Sequence, residues 1–95
     1  MLYYIYIGND HTIINHLSKV TDGMFMAVPS CNKATKVIDG IRERYNTSIL
    51  YEQNNAEEDC RNISFLHKRF PRVYIILITK LLQDRDRRLY LQAGD

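Results

Sequence analysis

The stretch SILYEQNNAEED, Ser48 to Asp59, contains the unit from which the fold is built. It begins with four residues typical of a buried strand, Ser48–Tyr51, and continues through the carboxylate of Glu52 into a polar loop that leads to a helical pattern. A strand joined to a helix by a short connection is typical of parallel sheets. Glu52 lies at the carboxyl end of this buried strand, and open α/β sheets bind their ligands at the carboxyl ends of their strands.

Three further stretches have the same organisation. LYYIYI (Leu2–Ile7), MFMAV (Met24–Val28) and VYIILIT (Val73–Thr79) are continuous apolar runs of strand length, which is typical of strands buried on both faces. Each run precedes residues with helical spacing, and the connections are short. We therefore predict a single α/β domain over residues 1–95, with a doubly wound parallel sheet between two layers of helices.

The sequence also predicts how the helices begin and end. Asn9 or Asp10 is expected to cap the first helix and Asn32 the second. The second helix has apolar residues at helical spacing from Ala34 to Tyr45. In the last helix, LLQDRDRRLYLQAGD, we expect Leu82, Leu89 and Ala93 to point inward. Gly94 is expected to cap the C-terminal end of this helix.

Composition and motifs exclude several classes of function. The net charge of +2 is too small to indicate a nucleic-acid binder, and the basic run near the C-terminus alternates with aspartates, as solvated helix faces do. Glycine-rich phosphate loops and a nucleophile elbow are absent. The three histidines and two cysteines lack metal-ligand spacing. With no signal peptide or membrane-spanning run, we expect a cytoplasmic protein that does not contact a membrane.

One edge of the predicted sheet collects the residues that are able to do chemistry. The carboxyl ends of parallel strands meet at one edge, so Gly8, Asn9, Asp10, Glu52 and Thr79 are expected to converge there. This is the candidate site, although a solvated strand-end glutamate is a plain alternative for Glu52.

The order of these parts resembles the receiver domain of two-component response regulators. LYYIYIGND is similar to the first strand with its acidic pocket, SILYEQ to the third strand ending at the phosphate-accepting aspartate, and YIILITK to the fourth strand ending at the switch residue. RRLYLQAGD is similar to the helix and turn that lead to the fifth strand. The resemblance implies a flavodoxin-like fold with strand order 2-1-3-4, lacking the last strand and helix.

The departures from the receiver pattern affect the chemistry that the resemblance implies. Gly8 and Asn9 stand where the family has two acidic residues, with Asp10 beside them, and Glu52 stands in place of the phosphoacceptor. Thr79 corresponds to the switch residue. Mg²⁺ prefers carboxylate and phosphoryl oxygens in octahedral geometry, so we expect weak or no Mg²⁺ binding and no other cofactor. The longer Glu52 side chain also displaces the carboxylate, so ordinary phosphotransfer is expected to be disabled.

These observations give a functional hypothesis and two alternatives. The first is an atypical signalling module, not an enzyme, that acts by protein contact without phosphorylation and precedes an output domain. The alternatives are a conventional phosphoaccepting receiver and a small α/β ligand-binding domain. The resemblance implies a histidine kinase as a partner class.

The fourth strand suggests self-association. Without a fifth strand it would lie at an edge, and its apolar residues are interrupted by neither charge nor proline. We therefore predict a two-fold homodimer that covers this edge, through Val73, Ile75, Ile76 and Ile78, or the sheet face left bare by the missing helix. The two copies are expected to associate by edge pairing or by exchange of an element.

Overall fold

The computed structural model describes residues 1–42, 44–79 and 84–93. Within these ranges four strands alternate with four helices. In order they are β1 (Tyr3–Ile7), α1 (His11–Val20), β2 (Met24–Val28), α2 (Cys31–Asp39), a 3₁₀ turn (Arg44–Asn46), β3 (Thr47–Glu52), α3 (Ala56–Arg69), β4 (Tyr74–Ile78) and α4 (Asp84–Ala93).

The strands form one parallel sheet in the order β2-β1-β3-β4, which confirms the predicted α/β architecture and is consistent with a flavodoxin-like fold. β1 pairs with both β2 and β3, and β4 pairs with β3 so that Glu52 lies beside Ile78. The connection from β1 to β2 runs toward one edge of the sheet, and the connections from β2 to β3 and from β3 to β4 run toward the other edge. Such a reversal places the loops after β1 and β3 on either side of a cleft.

The hydrophobic core lies on the sheet face that α2, α3 and α4 cover. Ile5, Ile49 and Tyr51 from the sheet meet Ile38 of α2 and Leu66 of α3, and all five are buried. Tyr90 of α4 completes this core. None of the α1 residues is buried, and α1 lies on the opposite face, as right-handed crossovers require.

Side-chain caps fix the helix starts, and one differs from the prediction. The Asp10 carboxylate accepts hydrogen bonds from the backbone N–H groups of Thr12 and Ile13, so Asp10 caps α1. α2 begins earlier than predicted, because the Ser30 hydroxyl accepts from the Lys33 N–H at 3.2 Å and leaves Asn32 inside the helix.

The end of α2 was also predicted wrongly. The helix stops at Asp39 with Gly40 as its cap, so the 34–45 spacing spans a helix and a separate turn. The predicted positions Leu82 and Gly94 lie outside the described residues, whereas Leu89 and Ala93 are half-buried. Among the helices described, none is long and apolar enough to cross a membrane.

The prediction that the strands are buried on both faces is wrong for the two outer strands. In β4, Tyr74 is 71% and Ile76 is 51% exposed, and in β2 Met24 and Met26 are also exposed. An apolar run in the sequence does not distinguish a central strand from an edge strand. The described β4 is also shorter than Val73–Thr79, since the Val73 N–H donates to the Phe70 carbonyl in a turn.

Candidate functional site

A polar cleft of about 370 Å³ opens at the carboxyl ends of β1 and β3. The loops after these two strands form its walls together with the starts of α2 and α3. Its lining includes Gly8, Asn9, Ser30, Cys31, Tyr51, Glu52, Asn54, Glu58, Asp59 and Asn62. Three of the five residues predicted to converge, Gly8, Asn9 and Glu52, therefore do so.

Glu52 is fixed in this cleft by the loop after β1. Its Oε2 atom accepts a hydrogen bond from the Asn9 backbone N–H at 2.9 Å. Gly8 is packed so closely that an added Cβ would lie 2.2 Å from Glu52 Oε2 and 2.7 Å from Glu52 Cβ. The absence of a side chain at residue 8 thus leaves the space that the Glu52 carboxylate occupies.

Tyr6 closes the same space from the side of β1, on the same sheet face as Glu52. Its side chain is fully buried, and its hydroxyl would lie 2.7 Å from a Cβ at residue 8. The hydroxyl lies near the Glu52 carboxylate without an aligned hydrogen bond. Burial, aided by the negative charge of Glu52, raises the pKa of Tyr6 to about 12.

The other two predicted residues, Asp10 and Thr79, do not line the cleft. Asp10 is occupied in capping α1, since its carboxylate accepts hydrogen bonds from the first turn of that helix. Thr79 is exposed, and its hydroxyl donates to the Gln53 side-chain carbonyl. The cleft therefore holds a glycine, an asparagine and a glutamate from the predicted set.

Asp59 is the buried carboxylate of the cleft, and sequence reasoning missed its role. It is only 2% exposed. It accepts hydrogen bonds from the Tyr51 hydroxyl at 3.1 Å, from the Tyr90 hydroxyl at 2.6 Å and from the Asn54 N–H at 2.8 Å. The Asn62 amide in turn donates to the Tyr51 hydroxyl at 2.9 Å. We call Tyr51, Asp59, Asn62 and Tyr90 the Asp59 network.

The network connects β3, α3 and α4 through one carboxylate. From the sequence, Asp59 was one of three acidic residues in the first turn of a helix, where all three favour the helix dipole. Glu57 and Glu58 are exposed as expected, but Asp59 lies three residues after Ala56 on the apolar side. The sequence did hold a signal of this burial, because Asp59 lies on the same apolar side of α3 as Ile63.

Cys31 is the cleft residue with nucleophilic potential. It stands at the first position of α2 and is a free thiol. Burial raises the pKa of the Cys31 thiol, which keeps it protonated near neutral pH. The arrangement therefore does not favour thiolate catalysis.

The buried tyrosines predict a loss of stability in alkali. Burial raises the pKa of Tyr6 to about 12 and raises the pKa of Tyr51 and Tyr90 further. The folded protein thus keeps protons that the unfolded chain releases above its ordinary tyrosine pKa of 10.0. The contribution of these tyrosines to the free energy of unfolding should be steady below that pH and fall as pH rises through 11 and above.

Urea titrations at pH 9 and pH 11 measure this effect. The Tyr90→Phe variant should lose less stability between the two pH values than the parent protein, because it has one buried phenol fewer. The thiols of Cys31 and Cys60, whose pKa burial also raises, act in the same direction and remain in both proteins. Equal stability of the parent protein at pH 9 and 11 would contradict the prediction.

Comparison of the chain with protein-family models, with curated proteins and with solved structures gave no match.

Proposed function

We propose that the chain is a receiver-like signalling domain that works by protein contact and does not accept a phosphoryl group. The observation that carries the proposal is the Glu52 carboxylate held on the Asn9 N–H at the end of β3. In a flavodoxin-like sheet this position faces the cleft at the reversal of strand order. A fixed negative charge there takes the place of a charge that conventional receivers acquire by modification.

The surroundings of Glu52 support the loss of phosphotransfer. Mg²⁺ needs several oxygen ligands in octahedral geometry, usually including carboxylates. Gly8 offers no side chain and Asp10 is occupied as a helix cap. In the described ranges, no group of three or more His, Cys, Asp or Glu side chains is arranged to hold a metal ion. The sequence-based expectation of weak Mg²⁺ binding remains a prediction.

A small-ligand domain is the second candidate, favoured by the cleft itself. Its volume of about 370 Å³ lies near the lower limit for small-molecule sites. Such sites are mostly apolar, however, whereas this cleft is lined mainly by carboxylates, amides and hydroxyls. We therefore place it second to a contact-based role.

Phosphorylation by a small phosphodonor tests the proposal. After incubation with acetyl phosphate and 10 mM MgCl₂, the parent protein and Glu52→Asp should both keep their intact mass. The aspartate variant restores the acceptor group, but not the metal ligands that the reaction needs.

A conventional receiver domain treated in parallel shows that the donor and the metal are active. A stoichiometric gain of one phosphoryl group on the parent protein would overturn the proposal in favour of a conventional switch. A gain on Glu52→Asp alone would show that the metal site is intact and that only the acceptor residue prevents the reaction.

A further inference from the structure

The outer edge of β4 carries backbone groups that no other described strand covers. β4 is the last strand of the four-stranded sheet, and it pairs with β3 on one side only. The Ile78 carbonyl accepts from the Gln53 N–H at 2.9 Å, so Ile78 faces β3. Because successive residues of a strand direct their backbone groups to opposite sides, Ile76 and Tyr74 also face β3. The N–H and C=O groups of Ile75 and Leu77 therefore face outward.

The side chains along this edge are apolar on both faces of the sheet. Tyr74 and Ile76 are exposed on the face that carries α1. Ile75 and Leu77 point to the other face, into a groove of about 730 Å³ that α3 and α4 border through Ile63, His67, Tyr90 and Leu91. The five residues of β4 include neither a charge nor a proline, which are the usual means of blocking edge pairing.

We propose that β4 is the contact surface for a second copy of this chain, in an antiparallel two-fold pairing centred on Ile76. In this register Ile75 lies opposite Leu77 of the second copy, and Leu77 opposite its Ile75. Each of these pairs exchanges both of its N–H···O bonds, which satisfies the outward backbone groups of both copies. The two sheets become one continuous sheet.

The structure favours this register over the one centred on Ile75. A pairing centred on Ile75 would place Val73 in a hydrogen-bonded position, but the Val73 N–H already donates to the Phe70 carbonyl at 3.1 Å. Val73, which the sequence assigned to the contact edge, is 5% exposed and belongs to the core. Centring on Ile76 uses only residues whose outward groups are free of such turn contacts.

A second copy suits this edge because the edge is complementary to itself. In a two-fold arrangement each surface patch meets an identical patch. Ile76 meets Ile76 of the second copy, and Tyr74 meets its Ile78, so the exposed apolar side chains of both copies cover one another. The groove leaves room beside β4 for Ile75 and Leu77 of the second copy. A strand pair alone covers less than the roughly 800 Å² per partner of a standard interface, so we expect micromolar affinity.

Cysteine cross-linking tests both the contact and its register. In the proposed pairing the Ile76 residues of the two copies form a pair without backbone hydrogen bonds, with Cα atoms about 4.5 Å apart. This lies within the roughly 4.4–6.8 Å that disulfides span. Tyr74 is the matched control, because it is exposed on the same face of β4. The two copies of Tyr74 would be offset along the strands by about 14 Å.

We expect Ile76→Cys to form at least ten times more covalent dimer than Tyr74→Cys when each is oxidised by glutathione disulfide. Two thiols lose two protons and two electrons, and the oxidant becomes two molecules of reduced glutathione. The native thiols Cys31 and Cys60 are present in both variants and contribute equally. Non-reducing electrophoresis measures the product, and circular dichroism checks that both variants are folded.

Light scattering on the parent protein makes the test independent of the cysteine variants. A mass that rises from monomer to dimer between 10 and 500 µM supports the proposal. A folded monomer throughout this range overturns it. A dimer in which both cysteine variants cross-link equally, or neither does, also overturns it, because the second copy then binds elsewhere or in another register.

Discussion

Replacement of Asp59 by alanine is expected to lower the free energy of unfolding by about 3–5 kcal/mol, because it removes the acceptor that two buried tyrosine hydroxyls share. The carboxylate is 2% exposed and accepts from the hydroxyls of Tyr51 and Tyr90 and from the Asn54 N–H. Alanine leaves the buried hydroxyls of Tyr51 and Tyr90 without this acceptor, whereas the Asn54 N–H belongs to an exposed residue. Each unsatisfied buried group costs about 1–3 kcal/mol.

Urea unfolding followed by circular dichroism measures the change, and Glu57→Ala is the matched control. Glu57 lies in the same helical turn but is exposed, so its removal should cost no more than about 1 kcal/mol through the helix dipole. Tyr90→Phe should cost less than Asp59→Ala, because it removes one donor and leaves two hydrogen bonds to the carboxylate. Equal effects of Asp59→Ala and Glu57→Ala would contradict the network as described.

The effect on α4 distinguishes the network from a purely local contact. The Tyr90 hydroxyl bond to Asp59 spans 31 residues and holds α4 against α3. Asp59→Ala should therefore increase the hydrogen exchange of α4 amides more than that of α1 amides. α1 lies on the other face of the sheet and contributes nothing to this core.

The sequence predicted the architecture because local patterns determine it. Apolar runs followed by helical spacing occur four times, and short connections leave a parallel sheet as the arrangement that buries them. The bounds of β2 were correct, and the differences in β1, β3 and β4 amount to one residue at either end. The α2 cap was wrong because Ser30 and Asn32 are both good caps by residue type. Only the backbone shows that the Ser30 hydroxyl, which accepts from the Lys33 N–H, makes the cap.

Burial of individual residues was harder to predict than the presence of elements. β4 is as apolar as β1, yet Ile76 is 51% exposed while Ile5 is 2% exposed. The difference comes from position in the sheet, which depends on contacts with strands distant in sequence. Asp59 was missed for the same reason, since its donors Tyr51 and Tyr90 lie 8 and 31 residues away.

The cleft shows a different limit of sequence reasoning. Gly8 and Glu52 were interpreted as two separate departures from a receiver pattern. They are one arrangement in the structure, because the Glu52 side chain lies where a Cβ at residue 8 would be. A pair of residues 44 positions apart in sequence does not reveal this dependence without the β1–β3 register that brings them together.

Gly8→Ala is accordingly expected to destabilise the protein by about 2–3 kcal/mol, which is typical of overpacking in a rigid site. The new Cβ would lie 2.2 Å from Glu52 Oε2, 2.7 Å from Glu52 Cβ and 2.7 Å from the Tyr6 hydroxyl. The carboxylate end can rotate away, at the cost of its 2.9 Å bond from the Asn9 N–H. The Glu52 Cβ and the fully buried Tyr6 ring cannot move so easily.

The measurement is urea unfolding, with Gly40→Ala as the matched control and one combined variant as the rescue. Gly40 has φ −83° and an added Cβ would meet only the Val37 carbonyl at 3.4 Å, so alanine there should be neutral or stabilising by up to about 1 kcal/mol. In a Tyr6→Phe, Glu52→Gly background all three close contacts are gone, so the added cost of Gly8→Ala should fall. What remains is the strain of placing a Cβ at the Gly8 φ of +159°. If Gly8→Ala in the parent protein is as stable as Gly40→Ala, the packing of Gly8 against Glu52 is wrong. If the cost persists in the combined background, its cause is the backbone at residue 8 and not the space that Glu52 occupies.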